Sequence, residues 1–236
     1  MKRIGILETG HNSQVLAERF GRFSDNFSAW LDAHREEFPF ELAVWQVENH
    51  EFPAHPRECD GYIITGSAAG VYEDHDWLEP TRAFIREAVE QQVKLLGVCF
   101  GHQLLADTLG GRAEKSHKGW GVGRHTYRVH GSRPWMDPPM PEFSLLACHQ
   151  DQVTALPPGA EVLASSEFCE FAMFALGEHV MAVQPHPEFS PAYAGALYET
   201  RRERFGADVV EQGLASVHED NHAHEFGRWA LGFLTR

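Results

Sequence analysis

Long apolar runs are absent from these 236 residues. The longest, such as 171–176, fall far short of the ~20 residues that span a bilayer, so no membrane segment is expected. The opening Met1-Lys-Arg-Ile-Gly-Ile-Leu-Glu8 has neither a long apolar stretch nor a small-residue cleavage site, and no signal peptide is read there. Cysteine is scarce: Cys59, Cys99, Cys148 and Cys169 show no CxxC or metal-finger spacing. They read as reduced thiols in a cytoplasmic protein, not as a disulfide framework, and no metal is called for. Clustered positive charge is also missing. The formal charge is −14, and the densest basic stretch (Arg201, Arg202, Arg204) sits among glutamates. That excludes a nucleic-acid partner, since phosphate binding needs grouped Lys and Arg. There is no linker, repeat or low-complexity segment, no Walker-type loop and no ATP-pyrophosphatase motif.

What the chain does have is core material. Apolar residues make up 43% and charged residues 23%, ordinary values for a soluble α/β domain. Strand-type runs at 3–7, 41–47, 61–65 and 94–98 alternate with helical spacing over 13–34 and 77–92, which predicts a mostly parallel sheet covered on both faces. Short strands are expected at 123–129, 143–147, 161–164, 171–176 and 180–183, and helices over 192–205, 209–217 and 222–234. One domain over 1–236 is expected, with a core of about 1–190 and a helical extension of about 191–236.

Lys94-Leu-Leu-Gly-Val-Cys-Phe-Gly-His-Gln103 carries the strongest signal. An apolar strand meets Gly97-x-Cys99-x-Gly101 and then a helix-forming stretch, the setting of a nucleophile elbow with Cys in place of Ser. The helix dipole and the free N–H groups at its start favour a Cys99 thiolate. Cys99 read alone is equally a small buried residue at a strand end.

A second signal is Val183-Gln-Pro-His-Pro-Glu188. His186 and Glu188 are two apart, and Pro187 keeps the chain extended, so both side chains face one way. A carboxylate so placed fixes the tautomer of the histidine and supports its imidazolium. His-Pro-Glu by itself is a common loop sequence; the two signals together make catalysis the better reading.

With these motifs in place, the chain strongly resembles the class I, triad-type glutamine amidotransferases over about residues 1–190. Four segments carry the likeness in the family's order: Ile63–Ser67, Gly97–Gln103, Cys148–Val153 and Gln184–Glu188. Within the family it is similar to free-standing members like the glutaminase domain of guanosine-monophosphate synthetase. The resemblance implies a flavodoxin-like α/β fold, Cys99 as nucleophile, His186 as base and Glu188 as its partner. It implies an oxyanion hole of backbone N–H groups at Phe100 and at Gly66-Ser67, although many relatives have a second glycine where Ser67 stands. It further implies substrate binding by Gln103 and by the segment Gly119-Trp120-Gly121, with His149 shaping the substrate loop. No cofactor is implied.

The substrate is then glutamine or another γ-glutamyl compound. The reaction either supplies ammonia to a synthetase subunit or simply hydrolyses a γ-glutamyl peptide, and the sequence leaves both open. A different class, a binding or regulatory module with the same fold, is disfavoured by the complete triad. A rival family of elbow-cysteine proteins places His directly after the Cys, where this chain has Phe100. The tail beyond 190 is longer than a triad requires, and it either covers the pocket or makes a homodimer contact. His218 and His222 have a spacing that binds metals on helices, but an acidic solvated face is the preferred reading.

Overall fold

Alternating strand and helix segments build a large sheet with helices on both sides. The computed structural model describes residues 1–236. Its strands are β1 (Lys2–Glu8), β2 (Phe40–Gln46), β3 (Gly61–Ile64), β4 (Lys94–Val98), β5 (Arg112–Lys115), β6 (Gly121–Val129), β7 (Glu142–His149), β8 (Asp151–Ala155), β9 (Ala160–Ser165), β10 (Met173–Leu176) and β11 (Val180–Val183). The helices are α1 (Gln14–Phe20), α2 (Phe23–Asp32), α3 (Leu78–Glu90), α4 (Phe100–Thr108), α5 (Pro191–Thr200), α6 (Arg202–Phe205), α7 (Ala207–Ser216) and α8 (Ala223–Leu234).

Nine strands form the main sheet in the order β2-β1-β3-β4-β11-β10-β9-β6-β7. The first five run parallel, and β10, β9, β6 and β7 continue the sheet through antiparallel pairings. Side chains alternate across it as strand geometry requires. Ile63, Leu96 and Val98 join a core layer with Phe27 and Trp30 of α2 and Phe226 and Trp229 of α8. Tyr62, Ile64 and Leu95 face the opposite layer, with Phe84 and Ile85 of α3 and Leu104 and Leu105 of α4. A third layer packs Tyr193, Leu197 and Tyr198 of α5 with Leu146 and Cys148 of β7.

The structure departs from the sequence reading at two local points. The helical stretch 13–34 is two helices, because Gly21 adopts φ 73° between them and the Asp25 carboxylate caps the new start by accepting from the Arg22 N–H. β5 and β8, which pair as a separate two-stranded ribbon, are not foreshadowed by periodicity. Both are short, and β5 buries only Ala113, so neither has enough apolar alternation to be seen. No helix is long and apolar enough to cross a membrane.

The parallel strands β1, β3, β4 and β11 all end at one edge. Their carboxyl ends deliver Thr65-Gly66-Ser67, Cys99 and Gln184–Glu188 to one place, the position where open α/β sheets hold their ligands.

Candidate active site

Cys99 sits where β4 turns into α4. Its φ of 54° and ψ of −103° lie in a region that non-glycine residues seldom occupy, at a cost of about 1–3 kcal/mol. Hydrogen bonds on both sides hold it there. The Cys99 N–H donates to the Val183 carbonyl at 2.9 Å, and the Gln103 N–H donates to the Cys99 carbonyl at 3.1 Å. The turn is possible because Gly97 and Gly101 lack Cβ atoms. A Cβ on Gly101 would stand 2.2 Å from the Ile64 carbonyl oxygen, and one on Gly97 would stand 2.5 Å from the Gly101 carbonyl oxygen.

His186 and Glu188 arrive on the segment after β11. The His186 N–H donates to the Leu146 carbonyl at 2.8 Å, tying this segment to β7. The expected extension stops at His186: Pro187 and Glu188 form a turn, and across it His186 Nδ1 donates to Glu188 Oε1 at 2.7 Å. Both residues are buried, and the His186 ring stacks flat on Phe189 with centroids 3.8 Å apart. Burial by itself disfavours a charged imidazole. The Glu188 carboxylate and the Cys99 side chain outweigh it and raise the His186 pKa well above the ordinary histidine range.

Gly66 packs against this pair: a Cβ there would lie 3.0 Å from His186 Cε1 and 3.7 Å from Cys99 Cβ. The backbone N–H groups of Gly66 and Ser67 donate to no group in the protein. The Phe100 N–H, first in α4, has no acceptor within its own helix. Gly66 and Ser67 line the same cavity as Cys99, and Phe100 directly follows Cys99 in the chain.

Two cavities meet at Cys99, sharing Ser67, Cys148 and Arg201 with it. One, of about 420 Å³ including its mouth, is walled by Phe23 and Phe27 of α2 and by Phe189, Tyr193 and Leu197, and it contains His186 and Glu188. The other, of about 570 Å³ including its mouth, contains Gln103, Trp120, His149, Lys115 and Arg204. Gln103 Nε2 donates to the Asp151 carbonyl at 2.9 Å and to Gln184 Oε1 at 3.2 Å, which fixes its amide. Trp120 packs against Phe205 with the rings tilted, and the Arg204 guanidinium lies over its ring. His149 is fully buried. Desolvation, reinforced by neighbouring histidines, lowers its pKa to about 3, so its ring stays neutral. Gly119 and Gly121 flank Trp120 without lining either cavity; a Cβ on Gly119 would meet nothing, while one on Gly121 would strike Phe168.

The structure adds site residues that the sequence reading passed over. Lys115, Arg201 and Arg204 line the polar cavity, and no carboxylate lies within 4 Å of any of them. Neighbouring Arg202 instead pairs with Glu199 and Glu211. Three unpaired cations in a chain of net charge −14 mark a place prepared for an anion. The only sequence signal for the two arginines is the tail's basic stretch, which does not separate Arg201 from Arg202, and Lys115 has no such signal. His218 and His222, by contrast, lie in the turn between α7 and α8, not on a helix, and His222 Nδ1 accepts from the Ser144 N–H.

A sequence profile described as "Glutamine amidotransferase class-I" matches residues 23–202. The chain is 27% identical over 222 residues to gamma-glutamyl peptidase 3 of Arabidopsis thaliana, covering 91% of this chain and 86% of that protein. It is 34% identical over 146 residues to a glutamine-hydrolyzing GMP synthase of Cupriavidus pinatubonensis, covering 57% of this chain and 26% of that protein. A glutamine amidotransferase crystal structure from Thermotoga maritima superposes over 100% of this chain and 99% of that one, with a TM-score of 0.81 at 16% identity. With the profile spanning most of its length, the chain belongs to the class-I glutamine amidotransferase family.

Proposed function

We propose that the protein hydrolyses γ-glutamyl amide bonds of small molecules through a thioester on Cys99. The observation that carries this reading is the meeting of an elbow cysteine, a Glu188-bonded His186 and a cation-lined cavity at one strand edge. The Cys99 sulfur attacks the γ-carbonyl carbon. The resulting oxyanion is received by the N–H groups of Phe100 and of Gly66 or Ser67, each worth roughly 3 kcal/mol in such a role. His186, charged through Glu188, gives its proton to the departing nitrogen as the C–N bond breaks. Water then attacks the thioester, His186 takes up its proton, and glutamate leaves with the thiolate restored. His149 is not suited to this work, because its proton affinity is too low.

The zwitterionic end of the glutamyl group belongs in the polar cavity. Lys115, Arg201 and Arg204 suit its α-carboxylate, while Glu73 and Asp151, with Gln103, suit its α-ammonium. The full-length similarity to a gamma-glutamyl peptidase favours a γ-glutamyl peptide as substrate and a self-sufficient hydrolase. A second reading, glutaminase for an ammonia-accepting synthetase, rests on the partial similarity to GMP synthase. A reducing compartment such as the cytoplasm suits a free thiol nucleophile.

Glutamate release from the purified chain tests the proposal, with glutamine and several γ-glutamyl dipeptides offered and Cys99→Ser as the blank. Release that disappears with Cys99→Ser is expected. Release that persists in Cys99→Ser at the wild-type rate removes the nucleophile. Fast cleavage of glutamine, with every dipeptide inert, turns the choice to the second reading.

A further inference from the structure

We infer that the two cavities divide the substrate between them, and that the apolar one receives the leaving residue, so the preferred substrate is a γ-glutamyl peptide with an apolar side chain next to the scissile bond. This rests on the hydrolase reading above. The scissile carbon has to lie at the Cys99 sulfur, and Cys99 lines both cavities. The two halves of the substrate therefore extend to opposite sides of it.

The proton donor decides which half goes where. His186 and Glu188 line only the apolar cavity, while Lys115, Gln103 and Arg204 line only the polar one. A general acid must stand within hydrogen-bond reach of the nitrogen it protonates. The departing amine thus lies on the His186 side, and the charged glutamyl end lies on the other.

The apolar side is built for more than ammonia. Phe23 and Phe27 approach from α2, Tyr193 and Leu197 from α5, and Phe189 backs the His186 ring. These walls are fixed from behind. Tyr193 OH donates to Asn12 Oδ1 at 2.7 Å, and the start of α2 is held to β1 by Glu8, which accepts from the Ser24 N–H at 2.9 Å. Glutamine would release only ammonia into this space, and a glycine residue would cover little of its wall. An apolar side chain reaching in from the open mouth replaces water against the apolar part of this lining, which is the favourable exchange. On the apolar side Asn26, which lines only this cavity, supplies an amide as partner for the carboxylate of the leaving amino acid.

The test compares kcat/KM for γ-glutamyl-phenylalanine, γ-glutamyl-leucine, γ-glutamyl-glycine and glutamine. The apolar peptides are expected to exceed the glycine peptide by about tenfold or more, the scale on which apolar pockets discriminate. Phe23→Ser, at a half-buried position, and Leu197→Ser should each shrink the phenylalanine-to-glycine ratio at least about fivefold. Near-equal kcat/KM for all four, or a ratio that neither variant changes, overturns the inference and leaves the hydrolase standing. Cleavage of none of them overturns the inference and the hydrolase reading together.

Discussion

Two buried histidines beside Cys99 are driven in opposite directions by what surrounds them. His149 has lost water and gained no opposite charge, so its ring stays neutral far below pH 7. His186 has lost water too, but the Glu188 carboxylate at 2.7 Å and the sulfur of Cys99 restore a preference for the charged ring. A raised His186 pKa sets the alkaline limb of activity, because the imidazolium must be present to protonate the leaving nitrogen. The limb should therefore fall well above pH 6.5. Glu188→Gln removes the charge that raises the pKa, so the limb should move to lower pH, read from kcat/KM against pH. An unmoved limb would mean that Glu188 does not set the charge of His186. The overall rate loss in Glu188→Gln should be smaller than in His186→Ala, which should cost roughly ten-thousandfold.

At the scale of elements, the site depends on α4 crossing the end of β3 with no side chain between them. The Gly101 N–H donates to the Thr65 carbonyl at 3.1 Å, and the same close approach leaves no room for a Cβ beside Ile64. Since the obstacle is backbone, no side chain can swing aside. Gly101→Ala should lower unfolding stability by about 1–3 kcal/mol, measured by urea titration, and should slow alkylation of Cys99 by displacing the elbow. Wild-type stability and reactivity together would show that α4 can tilt freely. The helices beyond the triad matter in a different way. α5 walls the apolar cavity and leads into Arg201, so the segment after residue 190 contributes to the site as well as to the fold.

Across the whole molecule, α8 shares one core layer with β1, β3 and β4. We propose that residues 1–236 fold as one unit, for which heat or urea should give a single coincident transition by fluorescence and circular dichroism. Separate transitions would divide the chain. Acid should weaken that unit in a defined window. His102 is buried with Nε2 donating to the Phe171 carbonyl, and desolvation lowers its pKa to about 3, as for His149. Below pH 6.5 the unfolded chain takes up protons on these rings and the folded chain does not. Stability is lost as pH falls from 6.5 towards 3, by about 1.4 kcal/mol per pH unit for each histidine. His186 works with the opposite sign, but its contribution is already complete below pH 6.5 and adds no slope there. His102→Gln, which keeps a donor for Phe171, should have a shallower acid slope than the wild type. An identical slope would remove His102 from the account.

The local sequence was enough for the elbow, the His-x-Glu pair and the strand that feeds each. Their chemistry is written in neighbouring residues: glycines at a tight turn, a histidine and a glutamate on either side of a proline, apolar runs that must be buried. The turn at Pro187-Glu188, where extended chain is expected, was not legible. The family, and with it the α/β fold, was legible on the same motifs. Lys115 and the pair Arg201 and Arg204 come from two distant places in the chain, and only the folded sheet edge makes them one charged cavity. Phe23, Phe27, Tyr193 and Leu197 look like ordinary core residues in sequence, because an apolar wall facing a cavity has the same periodicity as one facing a neighbour. That Cys99 lies between a polar and an apolar chamber was decided by tertiary structure alone, since burial, charge pairing and open space depend on which distant segments meet.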